Sequence, residues 1–322
     1  MANGEDLKNN VQTSAKKSRI IVYGAAVLFS LIVGFSFLAV KTSMEVGTPL
    51  EILTYRFNFA AIAAVIPLMV RVVKIDLTGK SLKRLSLTVV FFVGFMAFQA
   101  LGLIYATSIE SGIIFAIVPI LSKIIAYYYL AEKGDWKQNA FITLSIAAVI
   151  AMFLFSLQGF QGVSVKGFIL LLISCLLSAL SNVLIRGVRS EFSPYAIAFL
   201  ISIGGCVFFN AVTLMTSAIR GEPLQYLAPL AHWEFVVGSA FLGILSTLVT
   251  SLLMAYMLAN METVKATIFG NLSTAISIFA GVIFLREPLY IYHIVCTIFI
   301  IIGVIGTSLN GAPKPDKDRE EE

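Results

Sequence analysis

The stretch from Ser108 to Glu132, SIESGIIFAIVPILSKIIAYYYLAE, places a proline and a lysine inside an apolar run as long as a membrane-spanning helix. A second stretch, 155 positions later, runs from Thr263 to Glu287 and reads TVKATIFGNLSTAISIFAGVIFLRE. The two stretches align Ser122 with Ser277, and each ends on a glutamate, Glu132 in the first and Glu287 in the second. We infer that the chain arose by duplication of a unit containing this helix.

The composition is that of an integral membrane protein. Of the 322 residues 58% are hydrophobic and 13% charged, and the mean hydropathy is +0.92. About 20 apolar residues of helix span a bilayer core, and the apolar runs are continuous, unlike the alternating strands of a barrel. We therefore predict an all-α integral membrane protein with ten transmembrane helices, at 20–40, 50–70, 85–106, 109–131, 138–157, 167–185, 194–218, 235–258, 263–285 and 289–309.

The basic residues are distributed unevenly between the two sides of these spans. Of the 23 Lys and Arg residues, 17 fall on the side of the N-terminus, four fall on the other side, and Arg56 and Lys123 lie inside spans. By the positive-inside rule both termini are predicted to be cytoplasmic, in a multi-pass protein of the cytoplasmic membrane. Because the net charge of +5 is concentrated in short loops, it predicts no nucleic-acid partner.

The duplicated unit contains five spans, an odd number, so the second copy enters the membrane from the opposite side. A second offset, of 145 positions, aligns Lys41 with Arg186 and Pro49 with Pro194. Inverted repeats of this kind are typical of secondary transporters, which hold the substrate near the membrane midplane between the two halves. The predicted segments are a cytoplasmic tail at 1–19, a first repeat at 20–157, a second repeat at 167–309 and a charged cytoplasmic tail at 310–322.

Several short motifs accompany the repeats. They include GFSFLAVK at Gly34–Lys41, PLEILTYRF at 49–57, Pro119 thirteen residues before Glu132, and NLST at 271–274. With these motifs the chain resembles the EamA type of the drug/metabolite transporter superfamily, whose members have two copies of a five-helix unit.

The resemblance covers about residues 20 to 309 and implies export of amino acids or related metabolites, or of toxic organic compounds. Two positions depart from the family pattern. Thr274 stands where a proline is usual, and Phe35 stands where the first span often has tryptophan. These departures concern the choice of substrate more than the fold.

Pro119 is the residue that points to the central site. It cannot donate a backbone hydrogen bond, so the carbonyl of Phe115 loses its partner and the helix is expected to kink. A freed carbonyl is tolerated where it faces neighbouring helices or a water-filled cavity, although proline is also common in membrane helices generally. In the second copy, Thr274 is predicted to bond back to the Gly270 carbonyl and bend the helix mildly.

The two positive charges inside spans are further candidates. An ionisable group in hydrocarbon is costly and therefore functional by default. Lys123 either faces the site or extends toward the cytoplasmic interface. Arg56 either pairs with Glu51, Glu45 or Glu110, or binds a carboxylate or phosphate of the substrate through its guanidinium fork.

The remaining candidates for substrate binding are small and polar residues on the helix faces that carry these groups. For each of them close helix packing is the alternative role. Four residues are predicted to be structural, two prolines at the starts of spans and two glutamates at their ends: Pro49, Pro194, Glu132 and Glu287. The candidate substrate-binding residues are Arg56, Asn58, Gln99, Ala116, Pro119, Lys123, Asn182, Thr267, Asn271 and Thr274.

The predicted function is secondary transport of a small polar metabolite, an amino acid or related compound, out of the cell by alternating access. A sugar-phosphate or nucleotide-sugar exchanger and a drug exporter are alternatives, and a membrane-integrated enzyme or scaffold is the alternative outside transport. The sequence has no nucleophile motif, phosphate-binding loop or metal-ligand cluster, so we predict neither catalysis nor a cofactor. The partners are the substrate and the lipid bilayer, and the sequence leaves monomer and homodimer open.

Overall fold

The computed structural model describes residues 2–77, 80, 82–130, 136–157, 164–221, 226–260 and 263–309, with side chains from residue 20 onward except at scattered positions. In this part of the chain all regular structure is helical. Its twelve α-helices are α1 Ala2–Ser43, α2 Pro49–Met69, α3 Leu82–Leu103, α4 Ser108–Phe115, α5 Val118–Leu130, α6 Trp136–Leu157, α7 Val165–Val188, α8 Pro194–Arg220, α9 Trp233–Ala240, α10 Thr250–Asn260, α11 Thr263–Phe284 and α12 Ile291–Leu309.

The helix over Trp233–Asn260 changes from α-helical to π-helical and back along its length. A short 3-10 turn, Ala228–Ala231, precedes α9, and residues Phe241–Val249 between α9 and α10 form a π-helix. In a π-helix the backbone bonds reach five residues back, so the turn is wider than in an α-helix. The three parts together form one apolar rod over Trp233–Asn260.

Side-chain caps set the starts of α2 and α8. Thr48 and Glu51 form a capping box at α2, with the Glu51 carboxylate 2.7 Å from the Thr48 backbone nitrogen. Ser193 caps α8 in a similar way, accepting from a backbone N–H three residues on. Pro49 and Pro194 occupy the first turns of these helices, where a missing N–H costs no helix bond.

Seven segments of the described chain are long and apolar enough to cross a bilayer. They are the part of α1 from Ile20, then α2, α3, α4 with α5, α7, α8 and the rod over Trp233–Asn260. Three further helices, α6, α11 and α12, contain apolar stretches of 10–17 residues. The all-helical membrane fold is therefore confirmed, while the count of ten spans and the cytoplasmic termini stay predictions.

The helices pair across the two predicted halves of the chain. The pairs are α1 with α11, α3 with α7, α2 with α8, and α6 with α12. Buried apolar side chains fill these contacts, whereas large apolar residues such as Ile62, Val90, Val207 and Ile219 are exposed on the outer faces. An exposed apolar surface of this extent is what lipid contact requires.

Candidate functional site

The predicted kink at Pro119 is present as a complete break. Helix α4 ends at Phe115 and α5 begins at Val118, with Ala116 and Ile117 in a tight turn between them. The backbone nitrogens of Ala116 and Ile117 bond to carbonyls three residues back, at 3.1 and 3.2 Å. Because Pro119 has no N–H to offer the Phe115 carbonyl, the α-helical ladder stops at this point.

A cavity of about 110 Å³ lies beside this break. Its walls come from α1, α2, α3, α4, α5, α7, the π-helix, α10 and α11, so both predicted halves contribute. A buried water needs roughly 10–15 Å³, so the cavity holds several waters or a small solute. Four predicted site residues line it, namely Arg56, Gln99, Pro119 and Asn182.

Aromatic side chains form the apolar part of the wall. The ring of Phe115 on α4 lies 5.7 Å from that of Phe37 on α1 and 5.8 Å from that of Phe95 on α3, centroid to centroid. Phe29, Phe92, Met96 and Met254 also line the cavity. Much of the space is thus suited to an apolar or aromatic group.

Arg56 provides the positive charge of the cavity and is 3% exposed. Its Nε donates to Thr247 Oγ1 at 2.6 Å, and its Nη2 donates to the carbonyl oxygen and the Oγ of Ser246, both at 3.1 Å. In the described part of the chain no carboxylate pairs with it, because Glu51 and Glu110 close the capping boxes of α2 and α4. Nη1 makes no hydrogen bond with any described residue.

The π-helix explains why Arg56 finds these partners. Thr247 Oγ1 donates to the Leu242 carbonyl five residues back, at 2.8 Å, which the wide π turn allows. A Cβ on Gly243 would overlap the carbonyl oxygen of Arg56, so only glycine lets this segment approach the α2 backbone so closely. The arrangement holds Nε and Nη2 and leaves Nη1 without a partner among the described residues.

Gln99 and Asn182 are the two amide side chains of the cavity. They are 7% and 8% exposed, and neither makes a hydrogen bond within the described residues. Ser251, which also lines the cavity, has a buried hydroxyl with no partner there. Because unpaired buried polar groups are costly, a cluster of them around one cavity indicates a place where a polar ligand or water completes the bonding.

Ala116, Thr274 and Lys123 lie close to the break without lining the cavity. Ala116 is fully buried, and Lys123 is 7% exposed on α5. The predicted bond from Thr274 to the Gly270 carbonyl is wrong. The Thr274 hydroxyl instead donates 2.8 Å across to the Gly112 carbonyl of α4, while Ser273 donates to Gly270.

Asn58 lies away from the cavity, in a polar cluster between α2 and α8. Its Oδ1 accepts from Asn210 Nδ2 at 2.6 Å, and its Nδ2 donates to the hydroxyl of Tyr226. Tyr226 donates in turn to Asn210 Oδ1 at 2.6 Å. These partners leave Asn58 in a helix-packing role in this conformation, and its part in substrate binding stays a prediction.

Three predicted residues cannot be placed in the site. Glu132 lies outside the described residues, and Thr267 and Asn271 belong to α11 but their side chains are not among those described. Two of their neighbours on α11, Gly270 and Ser273, do line the cavity.

Sequence reasoning missed the polar partners of Arg56 and the aromatic wall. Four hydroxyl residues occur within six positions in STLVTS at 246–251, an unusual density for an apolar span, and this pattern could have been noticed. The phenylalanines could not, because 25 of them are spread through a largely apolar chain. The described residues contain no group of three or more His, Cys, Asp or Glu side chains able to hold a metal ion.

Two curated proteins are similar to this chain over most of its length. The uncharacterized transporter YcxC of Bacillus subtilis is 37% identical over 298 residues, which are 92% of this chain and 95% of that protein. An uncharacterized transporter of Archaeoglobus fulgidus is 24% identical over 279 residues, 84% of this chain and 92% of that protein.

The fold and the family agree with this similarity. A solved crystal structure matches 90% of this chain and 98% of its own with a TM-score of 0.65, and at 12% identity the match shows a shared fold alone. Residues 20–154 and 165–309 each match the EamA-like transporter family. The resemblance found in the sequence is therefore confirmed: the chain is a multi-pass membrane protein of the EamA-like transporter family, within the drug/metabolite transporter superfamily.

Proposed function

We propose that this transporter is a secondary carrier that exports a small carboxylate-bearing metabolite, an amino acid or related compound, across the cytoplasmic membrane by alternating access. The proposal includes ten spans, arranged as two inverted five-helix repeats at 20–157 and 167–309, with both termini in the cytoplasm. The single observation behind it is a cavity lined by both halves of the chain. The Arg56 guanidinium lines this cavity, with Nε and Nη2 hydrogen-bonded to Thr247 and Ser246 and with Nη1 unpaired among the described residues.

The charge balance of the cavity supports a carboxylate. Its charged lining residue is Arg56, and no Asp or Glu lines it in the described part of the chain. A guanidinium forms strong charge-assisted hydrogen bonds with carboxylates, and in a buried site it gains from any anion that neutralises it. A solute with a single carboxylate as its only negative group matches the single positive charge.

The uncharged lining supports an amphipathic solute. The side-chain oxygens of Gln99 and Asn182 can accept hydrogen bonds from an ammonium or hydroxyl group, and their nitrogens can donate. The phenylalanine rings can cover an apolar or aromatic body and also attract a substrate ammonium group. An amino acid with an apolar side chain presents all three kinds of group at suitable size.

The residues that line the cavity support the alternative functions less well. A sugar phosphate or nucleotide sugar brings two or more negative charges to a cavity lined by one guanidinium, and a cationic drug would meet that guanidinium without any carboxylate among the described lining residues. A membrane enzyme or scaffold would need a cluster of reactive side chains or a partner surface. The cavity lining described above offers hydroxyls and amides instead.

Efflux from proteoliposomes tests the proposal. Vesicles loaded with a panel of labelled amino acids should show saturable efflux of at least one with an apolar side chain, and external unlabelled solute should accelerate it by exchange. The methyl ester of that solute, which lacks the carboxylate charge, should compete at least about tenfold more weakly, since the charge-assisted bond is worth roughly 1.5–3 kcal/mol.

Arg56→Gln should reduce efflux at least about tenfold, because glutamine keeps hydrogen bonding but loses the charge. Arg220→Gln is the matched control, since Arg220 is exposed at the end of α8, and it should transport normally. Equal efflux by Arg56→Gln and wild type would remove Arg56 from substrate binding. Efflux of no carboxylate in the panel would count against the proposed substrate class.

A further inference from the structure

Helix α4 is a short helix with a distinct attachment at each end. It contains eight residues, Ser108–Phe115, and one of its faces packs on α11. Its last residue, Phe115, lines the cavity, and its first, Ser108, lies at the far end, near the turn that follows α11. The two ends therefore connect the cavity to one surface of the helix bundle.

The carboxylate of Glu287 holds the first turn of α4. Its Oε1 accepts from the Ser108 backbone nitrogen at 2.8 Å, and its Oε2 accepts from the Ser108 hydroxyl at 2.7 Å and the Ile109 backbone nitrogen at 3.0 Å. Backbone N–H groups at a helix start have no partner within the helix, and the helix dipole also favours an anion there. Glu287 thus binds α4 from another part of the chain, 178–179 residues away.

The chain turns sharply at the residue before Glu287. Arg286 has a φ of 53°, in the left-handed region that residues with a Cβ seldom adopt. The turn brings the Glu287 nitrogen 3.0 Å from the Gly281 carbonyl at the end of α11. A left-handed residue followed by such a bond is a common way for a helix to end, and here it sets Glu287 beside the start of α4.

Lys41, in the last turn of α1, interacts with the same region around Glu287. Lys41 Nζ donates to the Leu103 carbonyl at the end of α3, at 2.7 Å, and interacts electrostatically with the carboxylates of Glu287 and Glu110. The positive charge therefore draws together the ends of α1, α3, α4 and α11. These connections are charged and polar bonds, which can form and break, and they lie beside the apolar packing of the buried Ile109.

At its other end, near Phe115, α4 is not continuous with the next helix. The turn at Ala116–Ile117 separates it from α5, and Phe115 places its ring between those of Phe37 and Phe95. Besides its packing on α11 and the bond from Thr274 to the Gly112 carbonyl, α4 is held by the turn at one end and by the Glu287 carboxylate at the other, so loss of that carboxylate favours a pivot about the turn. Such a pivot would withdraw Phe115 from the aromatic group beside the cavity.

We propose that Glu287 is a positioning residue that keeps α4 closed over the cavity, and that loss of its three hydrogen bonds lets α4 pivot about Ala116–Ile117 and opens the cavity to the membrane face where Glu287 lies. The inference rests on the proposed alternating-access function, to which it adds the moving element and the contact that restrains it. In this structure the ring of Phe115 packs against those of Phe37 and Phe95 beside the cavity, and the pivot would separate these rings.

Sided thiol labelling tests this without any substrate, so its failure is distinct from a failure to find the transported solute. The reporter is Ser178→Cys on the cavity wall, in a protein whose Cys175, Cys206 and Cys296 are serines. A membrane-impermeant maleimide is applied to each face of the vesicles in turn. The face of Glu287 is identified with Glu45→Cys, an exposed site after α1.

Glu287→Gln should speed labelling of the reporter about tenfold from the face of Glu287 and leave the rate from the other face unchanged or lower. Glu234→Gln, which removes an exposed carboxylate in the first turn of α9, is the matched control and should match the parent. An unchanged rate from the Glu287 face, or an equal rise from both faces as in general loosening, would overturn the proposal.

Ser108→Ala provides a second test, which also applies if Glu287→Gln fails to fold. It removes one of the three bonds and keeps the carboxylate with both backbone donors. We expect roughly threefold faster labelling from the same face, since one such bond contributes a modest net free energy. Labelling at the parental rate in a normally folded Ser108→Ala protein would contradict a restraining role for Glu287.

Discussion

The two stretches related by the 155-residue offset fold differently. Ser108–Leu130 is broken into α4 and α5 at residues 116–117, whereas Thr263–Phe284 is a single helix of 22 residues. The difference follows from one aligned pair, Pro119 in the first stretch and Thr274 in the second. Proline removes a helix bond, while threonine keeps its N–H and has a hydroxyl to spare.

The spare hydroxyl changes what the second stretch contributes. Thr274 donates 2.8 Å to the Gly112 carbonyl, so the unbroken helix supports the broken one at the middle of α4. The broken stretch provides cavity wall through Phe115, Val118 and Pro119, and the unbroken stretch provides Gly270 and Ser273. In the proposed mechanism the broken stretch is the moving element and the unbroken stretch supports it. Three substitutions test that division, in order of expected effect.

Gly112→Leu should have the largest effect, because it separates the two stretches. A Cβ on Gly112 would overlap the Ser277 hydroxyl, so a larger side chain must push α4 off α11. We expect a loss of about 3 kcal/mol, the upper range for overpacking, seen as a marked fall of the melting temperature in detergent. Gly24→Ala, where a Cβ meets no atom within 4 Å, is the control and should be neutral or stabilising.

Pro119→Ala should make the first stretch resemble the second. Alanine supplies an N–H for the Phe115 carbonyl, and a net gain of roughly 1 kcal/mol for the straight helix would slow exchange transport about fivefold. The melting temperature should stay the same or rise. Pro67→Ala near the end of α2 is the control, since Pro67 is outside the cavity lining. Full transport by Pro119→Ala would show that the break is not needed for function.

Thr274→Val should have the smallest effect of the three. It keeps the shape of the side chain and removes the donor to Gly112, a type of inter-helix bond worth about 0.6 kcal/mol in membranes. The melting temperature should fall by a few degrees at most. Thr143→Val, which removes an exposed hydroxyl that bonds within α6, should not change it. A larger fall than that caused by Gly112→Leu would reverse the order proposed here.

The sequence predicts more of the fold than of the site, and the reasons are physical. Spans are set by runs of apolar residues, and Pro119 removes a particular hydrogen bond, so helices and the break can be read locally. Partners cannot. Arg56 bonds with residues about 190 positions away, and nothing near it in the chain indicates Ser246 rather than a glutamate.

Two further residues show the same limit. Asn58 and Gln99 are similar in sequence, each an isolated amide in an apolar span, yet one is bound to Asn210 and Tyr226 and the other faces the cavity. The direction in which a helix faces depends on its neighbours, and in lipid both sides of a span are apolar. Helix packing, which the sequence does not reveal, therefore decided which amide reached the site.

The bonding of Arg56 also constrains how the protein is made. α2 has the lowest mean hydropathy of the seven candidate spans, and its arginine is synthesised 190 residues before Ser246 and 191 before Thr247. At about 5–20 residues per second, the ribosome needs roughly ten to forty seconds to deliver those partners. Throughout that interval the guanidinium lacks these partners, so placing it in hydrocarbon costs more free energy than it does in the complete chain.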